Sequence, residues 1–210
     1  MIQGRGGRMV VAVVLMLLAL SMGGAGAAEA ARVVLPRPGQ VGIEVQGGYG
    51  ALLKSGELGK DFGNGPTLGV RLRYRMRYER ALGLSFENQR FEIRVPEAFD
   101  PLDPVTFPGR LRVNMVMSGL EFYQMFGTRT RTTRMIGIGA GLAQTSGRTS
   151  NGETFFPGDG AFINATLGAE RFVFRSIAFD LSARYLLVFL PENREHDIQA
   201  ALGIIFYAGS

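Results

Sequence analysis

The feature that most constrains the fold is an eleven-residue stretch, residues 68–78, with the sequence LGVRLRYRMRY. Apolar or aromatic side chains alternate in it with Gly69 and with Arg71, Arg73, Arg75 and Arg77. Because successive side chains of a β-strand point to opposite faces of a sheet, this period of two predicts a strand with one apolar face and one arginine face. A helix would spread the four charges around its circumference, so the pattern excludes a helix.

The same alternation recurs after residue 40 and predicts eight strands, separated by segments rich in Gly, Pro, Asn and Asp. The predicted strands are Val41–Leu52, residues 68–78, a strand beginning at Ala81, and residues 111–126, 133–145, 161–170, 177–189 and 198–207. No helix is predicted after residue 30. Long loops follow the first, third, fifth and seventh strands, and short turns follow the second, fourth and sixth.

In two of these strands the sequence does not decide which alternating residues lie on the apolar face. In the third strand the apolar residues change face beyond Asn88, at Phe91, which fits either a bulge or a strand that has left the apolar layer. In the fourth strand Met117 follows one phase and Leu120 follows the other. We take the second half as the true register, which places Glu121 on the polar face.

An even number of antiparallel strands, with short turns at one end and long loops at the other, is the plan of a bacterial outer-membrane barrel. The rival is a soluble eight-stranded barrel with an apolar interior. The non-apolar faces of the fifth and eighth strands decide between them, because they consist largely of small residues such as Gly137, Gly139 and Gly203. Such faces suit a narrow lumen better than a solvated exterior. The predicted fold class is all-β, an eight-stranded antiparallel up-and-down transmembrane β-barrel.

Aromatic residues concentrate near the predicted strand ends, as in the two interfacial girdles of membrane barrels. They are Tyr78, Phe126, Phe174, Phe179 and Phe206 by the short turns, and Tyr49, Tyr185 and Phe189 towards the loops. The chain has no Cys, which excludes disulfides and thiolate metal sites. Its formal net charge of +5 is too small to indicate a nucleic-acid partner.

The first thirty residues have the plan of a secretory signal peptide. Arg5 and Arg8 precede an apolar run at residues 10–20, and small residues offer cleavage after Ala27 or after Ala30. The apolar run is shorter than the about 20 residues that a transmembrane helix needs. We therefore expect a signal peptide at residues 1–30, an N-terminal lead at residues 31–40 and one barrel domain at residues 41–210.

Over residues 41–207 the chain resembles the small OmpA/OmpX-type outer-membrane β-barrels in topology and polarity. Its last strand, residues 199–207 (QAALGIIFY), is similar to the assembly signal of such barrels through Gly203, Phe206 and Tyr207, but the chain continues to Ser210. The resemblance implies a monomer in the bacterial outer membrane, reached after export across the inner membrane. It also implies contact with outer-membrane lipid and lipopolysaccharide, help from the barrel-insertion machinery during assembly, and no cofactor.

An eight-stranded barrel has an interior that side chains just fill. Five basic residues are predicted to face five acidic residues inside it: Arg71, Arg73, Arg75, Arg77 and Arg184 against Glu44, Glu87, Glu121, Glu170 and Asp180. Buried charges are tolerated when they are paired and hydrogen-bonded, and the planar guanidinium of arginine can bond two carboxylates at once. The sequence therefore predicts a structural, salt-bridged plug, with no catalytic and no metal-binding residues.

His196 is the single histidine and lies in the segment ENREHD, which is predicted to be a solvated loop. A lipid-modifying hydrolase would need a nucleophile and an orienting acid beside it, and the sequence His196-Asp197-Ile198 lacks the His-x-Ser pattern of deacylase-like barrels. We expect a non-enzymatic barrel with a structural or surface-interaction role and an unknown surface partner. The alternatives are a narrow porin for ions or small solutes and a lipid-modifying enzyme that uses His196.

Overall fold

The computed structural model describes residues 37–92, 112–128, 130–148, 154–191 and 193–208. The predicted signal peptide, residues 31–36 of the lead and the whole second long loop, residues 97–109, lie outside these described residues. The elements are β1 (Val41–Leu52), α1 (Glu57–Asp61), β2 (Asn64–Arg77), β3 (Arg80–Glu92), β4 (Arg112–Phe126), β5 (Thr132–Arg148), β6 (Thr154–Phe172), β7 (Ile177–Phe189) and β8 (Arg194–Ala208). Within the described stretches, no helix has the length and apolar character needed to cross a membrane.

The eight strands form one closed barrel in which each strand pairs with its neighbours along the chain. All the pairings are antiparallel, including the seam between β1 and β8, where Val41 lies opposite Ala208 and Leu52 lies opposite Asp197. Closure leaves no strand with an unpaired edge. The prediction of an all-β, eight-stranded, antiparallel up-and-down barrel is confirmed.

Several strands extend further than their hydrophobic alternation predicts. β2 begins at Asn64, where the predicted loop still continues, and β8 begins at Arg194. The polar extensions are held by neighbouring strands; for example, Asn64 pairs with Ala51 of β1, and Arg194 pairs with Phe189 of β7. A ladder partner, rather than an apolar face, decides where these strands end, because backbone groups need hydrogen bonds whatever their side chains are.

The first long loop contains the helix α1, which corrects the prediction that no helix follows residue 30. A helix of five residues is not stable by itself, since nucleation is costly and few backbone bonds are gained. Contacts with the barrel compensate: Leu58 packs on an interior apolar cluster that includes Phe62, the residue just after the helix. Tertiary packing therefore stabilises α1, a helix that the local sequence does not predict.

The structure settles which residues of β3 and β4 face inward, the two points that the sequence left open. In β3, Glu87, Gln89 and Phe91 are all buried, and the pairing with β4 runs from Arg80 to Glu92 without a register shift. The strand does not bulge at Asn88; the interior changes from polar to apolar instead. In β4 the chosen register is confirmed, because Glu121 is buried, and Met117 lies on the same inner face.

The outer surface of the barrel is apolar. Leu68, Leu120, Ile138 and Leu142 are each about two-thirds exposed, and they alternate with buried residues along their strands. The aromatic residues of the two predicted girdles lie on this outer surface, with Tyr78 and Phe174 more than half exposed. The polarity is thus the reverse of that in a soluble barrel, which would bury these side chains.

Candidate functional site

Nine of the ten predicted inward charges form a single connected network inside the barrel. They are Arg71, Arg73, Arg75, Arg184, Glu44, Glu87, Glu121, Glu170 and Asp180, all buried. Ion pairs link them in series from Arg75 and Glu170, through Arg73, Glu44, Arg71 and Glu121, to Arg184 and Glu87. The strand that carries the arginine file is β2, and it forms one wall of the network.

Arg73 occupies the centre of this network. Its Nη2 lies 3.0 Å from Glu44 Oε2, its Nη1 lies 3.5 Å from Asp180 Oδ2, and it also pairs with Glu170. Its guanidinium carbon lies 4.8 Å from the centre of the Tyr123 ring. One planar cation is therefore shared by three carboxylates and an aromatic face, an arrangement that suits the five donors and the flat face of a guanidinium.

Glu121 joins the part of the network near the short turns to the part near the long loops. Its Oε2 lies 3.2 Å from Arg71 Nε, and its Oε1 lies 2.9 Å from Arg184 Nη2. Arg184 Nη1 in turn donates to Glu87 Oε2 at 2.8 Å. Asn164 Nδ2 adds a hydrogen bond of 3.0 Å to Glu121. Glu121 therefore meets more than one donor, as the cost of burying a charge requires.

Arg77 lies outside the network, which corrects its prediction as a lumen residue. The ladder between β2 and β3 shifts register between Arg75 and Arg77, so that Met76 has no partner. A bulge of this kind adds one residue to a strand and moves the following side chain to the other face. Arg77 is accordingly exposed, and the network holds four arginines with five carboxylates.

Below the network, at the short-turn end, the interior is closed by aromatic and apolar side chains. Tyr123, Met125 and Met135 form one buried cluster with Ala81, and Phe172 and Tyr207 belong to a second. The Tyr207 hydroxyl donates to Glu170 at 2.7 Å and accepts from Arg75 Nη2 at 3.0 Å. This tyrosine thus connects the charged layer to the apolar base.

Above the network, at the loop end, the interior becomes an apolar cluster. Its buried members are Leu52, Phe62, Phe91, Val113, Met115, Met117, Ala143, Phe162, Leu186 and Val188. Leu58 of α1 and Leu190 pack against it from above. The helix and Phe62 therefore form a lid, which we define as residues 57–62, over the loop-side mouth of the lumen.

Glu195 fastens this lid to β8. Its Oε1 accepts a hydrogen bond from the Leu58 amide at 2.8 Å, and its Oε2 accepts one from the Gly59 amide at 3.1 Å. These are amides of the first helical turn, which have no acceptor within the helix. A buried carboxylate that receives two backbone donors is well placed to hold the helix against the barrel wall.

Asp197 is a second buried carboxylate that sequence reasoning placed in a loop. Gln199 Nε2 donates to its Oδ2 at 3.0 Å, and Gln89 Nε2 lies 3.4 Å from its Oδ1. Both Glu195 and Asp197 share the inward phase of Gln199 in β8. Extending the strand by four residues would have revealed them, since the alternation continues through the polar segment.

Small residues on the inner face make space for these long side chains, as predicted. A Cβ atom added to Gly137 would lie 2.8 Å from a ring carbon of Tyr123. At Gly203 it would lie 2.7 Å from Glu44 Oε1. A void of about 10 Å³ remains beside Arg71 and Arg184, which is the room that a single water molecule needs.

His196 is not in a solvated loop but in β8, where it faces outward and is half-buried. Its Nδ1 lies 2.5 Å from the hydroxyl of Tyr185 on β7. Glu195 and Asp197, its neighbours in sequence, point into the barrel because side chains alternate along a strand. The histidine and the two carboxylates are therefore on opposite sides of the barrel wall.

No protein-family model matches the chain, and no curated protein matches its sequence. Solved structures do match its fold. The crystal structure of Neisserial surface protein A aligns with a TM-score of 0.60 and 14% identity, covering 80% of this chain and 98% of that chain. The outer membrane protein OprG from Pseudomonas aeruginosa aligns with a TM-score of 0.52 and 13% identity, covering 85% and 100%.

A third match is the N-terminal β-barrel domain of Pseudomonas aeruginosa OprF. Its TM-score is 0.51 at 16% identity, and the alignment covers 82% of this chain and 99% of that chain. All three alignments span nearly the whole length of the matched barrels, so the likeness concerns the complete barrel. Together with the closed eight-stranded topology, they identify the chain as having the fold of the small eight-stranded outer-membrane β-barrels.

Proposed function

We propose that this chain is a non-enzymatic protein of the bacterial outer membrane whose barrel is sealed to solutes and serves the envelope through structure and loop contacts. The barrel reaches the outer membrane after export, assembles there with the insertion machinery, and remains a monomer among lipid and lipopolysaccharide. Its apolar outer surface supports insertion, because alternation of lipid-facing and lumen-facing side chains is the pattern of such barrels.

The observation that carries the proposal is the filling of the lumen at three successive levels. Tyr123 and Tyr207 close the short-turn end, the network around Arg73 fills the middle, and the lid lies over an apolar cluster at the loop end. An ion that crossed this interior would have to separate buried ion pairs and then pass apolar side chains. Both steps are costly in a low-dielectric interior, which argues against the porin alternative.

Planar-bilayer recording of the refolded protein tests the seal. We expect no steady, discrete channel openings, whereas a sixteen-stranded porin in the same bilayer serves as the positive control. Reproducible openings of one size would contradict the seal and favour the narrow porin. The membrane location is checked separately, by fractionating envelopes and by comparing the gel migration of heated and unheated samples, since a folded barrel migrates differently from its unfolded chain.

The enzymatic alternative receives less support from the position of His196. Its ring nitrogen meets the Tyr185 hydroxyl, and the two acidic residues beside it in sequence face the opposite side of the wall. A general base needs an orienting acid and a nucleophile within reach on its own face. Lipid A mass spectra of cells with the wild-type protein and with His196→Ala check this point, and we expect identical spectra.

A further inference from the structure

The rim formed by the short turns carries an unusual concentration of positive charge. We call it the short-turn rim and define it by the β2–β3, β4–β5 and β6–β7 turns and the strand ends beside them. Its exposed arginines include Arg77, Arg80, Arg131, Arg134, Arg171 and Arg175. Among the described residues of this rim, Glu79 is the one exposed carboxylate, because Glu170 and Asp180 are buried in the interior network.

Like charges are placed side by side on this rim. Arg77 and Arg80 are direct ladder partners across the β2–β3 turn, and both are exposed. Arg171 lies opposite Thr132, and Arg134, two residues further along β5, is its diagonal neighbour on the same face. Like charges directly opposite each other in a sheet are destabilising. An external anion between them would remove this cost.

Aromatic side chains show at what depth these arginines lie. Arg171 is the ladder partner of Phe179, and Arg134 is the ladder partner of Phe126; both phenylalanines are nearly half exposed. Tyr78 follows Arg77 directly and is also exposed. Aromatic girdles settle at the level of the lipid headgroups. The arginines next to them therefore reach the level of the lipid phosphates.

The opposite rim has a different composition. Among its described residues, exposed Lys54, Lys60, Arg90, Arg112 and Arg194 are accompanied by exposed Asp61, Glu92 and Asp159. The excess of exposed positive over negative side chains is therefore larger at the short-turn rim than at the loop rim. Short turns face the periplasm in barrels of this architecture.

We propose that the short-turn rim binds the anionic headgroups of phospholipids in the periplasmic leaflet of the outer membrane. The guanidinium groups supply planar, bidentate donors to phosphate oxygens, and the aromatic girdle anchors the acyl-chain side of the same lipids. Each basic side chain near a membrane surface attracts anionic lipid. The inference rests on the proposed insertion of the barrel in a membrane and adds the class of lipid that surrounds its periplasmic end.

Lipid selectivity measured by electron spin resonance tests the proposal. The refolded protein is placed in phosphatidylcholine bilayers that contain traces of spin-labelled phosphatidylglycerol or spin-labelled phosphatidylcholine. We expect the wild type to immobilise phosphatidylglycerol at least about threefold more strongly, and raised salt to weaken that preference. The triple variant Arg131→Gln, Arg171→Gln, Arg175→Gln is expected to lose most of it.

The matched control is the triple variant Arg90→Gln, Arg112→Gln, Arg194→Gln, which removes three exposed arginines from the loop rim. It should keep the wild-type preference, and an equal loss in both variants would overturn the assignment to the short-turn rim. Heat-modifiable migration reports folding and insertion in every sample. Inserted wild type without a lipid preference would overturn this inference alone, whereas failure to insert would overturn the proposed function with it.

Two further arms distinguish other anions. Inorganic phosphate is compared with chloride at equal ionic strength, and a selective loss of preference in phosphate would mean a site for the free ion. Spin-labelled lipid A is compared with spin-labelled phosphatidylglycerol, and a preference for lipid A alone would mean a lipopolysaccharide site. Either result would overturn the proposal, while an unchanged preference for phosphatidylglycerol supports it.

Discussion

Arg73 shows how a single side chain can organise the interior of a small barrel. It is fully buried and contacts Glu44, Glu170 and Asp180 from strands on different sides of the lumen. Neutral side chains in its place would leave these carboxylates without their shared cation. Removing one member of a buried ion pair leaves the other charge buried without its partner. The free-energy cost of that remaining charge, more than the lost attraction, determines how much a substitution destabilises the protein.

We therefore expect Arg73→Ala to lower the free energy of unfolding by about 3–5 kcal/mol. Glu87→Ala, which removes one of the two carboxylates paired with Arg184, is expected to act in the same direction. Urea unfolding of the refolded barrel in detergent, followed by far-ultraviolet circular dichroism, measures both. Arg77→Ala is the matched control on the same strand. Since Arg77 is exposed, the free energy of unfolding of this variant should stay within about 0.5 kcal/mol of the wild-type value. Unchanged midpoints for Arg73→Ala and Glu87→Ala would contradict the network.

Gly137 illustrates the opposite requirement, for space. An added Cβ atom would lie 2.8 Å from the ring of Tyr123, and a valine would press its two methyl groups into the same region. We expect Gly137→Val to destabilise the barrel by about 1–3 kcal/mol through overpacking. Ala140→Val is the control, because Ala140 faces outward on the same strand. Equal urea midpoints for the two variants would show that the lumen tolerates the added volume.

The buried charged residues show how much of the interior could be predicted from the sequence. Alternation placed Arg71, Arg73, Arg75 and their acidic partners inside. If the apolar face of a strand contacts lipid, its other face must line the lumen. It failed at Arg77, where an unpaired Met76 changes the phase. This bulge lies at the end of β2, so no later residues of the strand show the changed phase. Glu195 and Asp197 were missed for a different reason, since a run of polar residues reads as loop even when its inward side chains are buried.

At the scale of the element, the lid is the part of the barrel that local sequence could not reveal. α1 has five residues and begins without a side-chain cap of its own. Its N-terminal amides are satisfied by Glu195, more than a hundred residues away in sequence. The strands, by contrast, were largely predictable: β1 and β7 have the predicted bounds. Long-range partners therefore explain most of what the sequence left open.

We expect Glu195→Ala to release the lid without unfolding the barrel. The change removes two charge-assisted hydrogen bonds, each worth about 1.5–3 kcal/mol. The Leu58 and Gly59 amides should therefore exchange with solvent deuterium at least about tenfold faster, while amides in the centre of β8 remain protected. Nuclear magnetic resonance of the refolded barrel measures these rates.

Glu92→Ala is the matched control for the lid, since Glu92 is an exposed carboxylate at the same rim. It should leave exchange at Leu58 and Gly59 unchanged. If Glu195→Ala also left those two rates unchanged, packing of Leu58 and Phe62 on the apolar cluster would be enough to hold the lid. If exchange increased throughout β8, Glu195 would belong to the stability of the whole barrel rather than to the lid.

At the scale of the whole molecule, the distribution of polarity ties the fold to its surroundings. Most of the charges that the barrel buries are paired inside, and its largest exposed side chains away from the rims are apolar. Water would penalise this surface, because contiguous exposed apolar area of such extent drives association. A bilayer would accept it, so the same residues that would favour association in water would stabilise the barrel in lipid.

Leu120 provides a test that separates these two environments. It is 66% exposed, lies near the middle of β4 and has Leu84 and Ala140 as ladder neighbours. In a membrane barrel we expect Leu120→Arg to destabilise the inserted state by about 2–4 kcal/mol, because a charge at the bilayer midplane is costly. Val173→Arg, near the short-turn rim, should cost at most about 1 kcal/mol, since the penalty falls towards the interface. Urea titration in liposomes measures both, with heat-modifiable migration as the signal for folding. In a soluble barrel both positions would face water and both arginines would be tolerated, so equal midpoints for the two variants would contradict insertion in lipid.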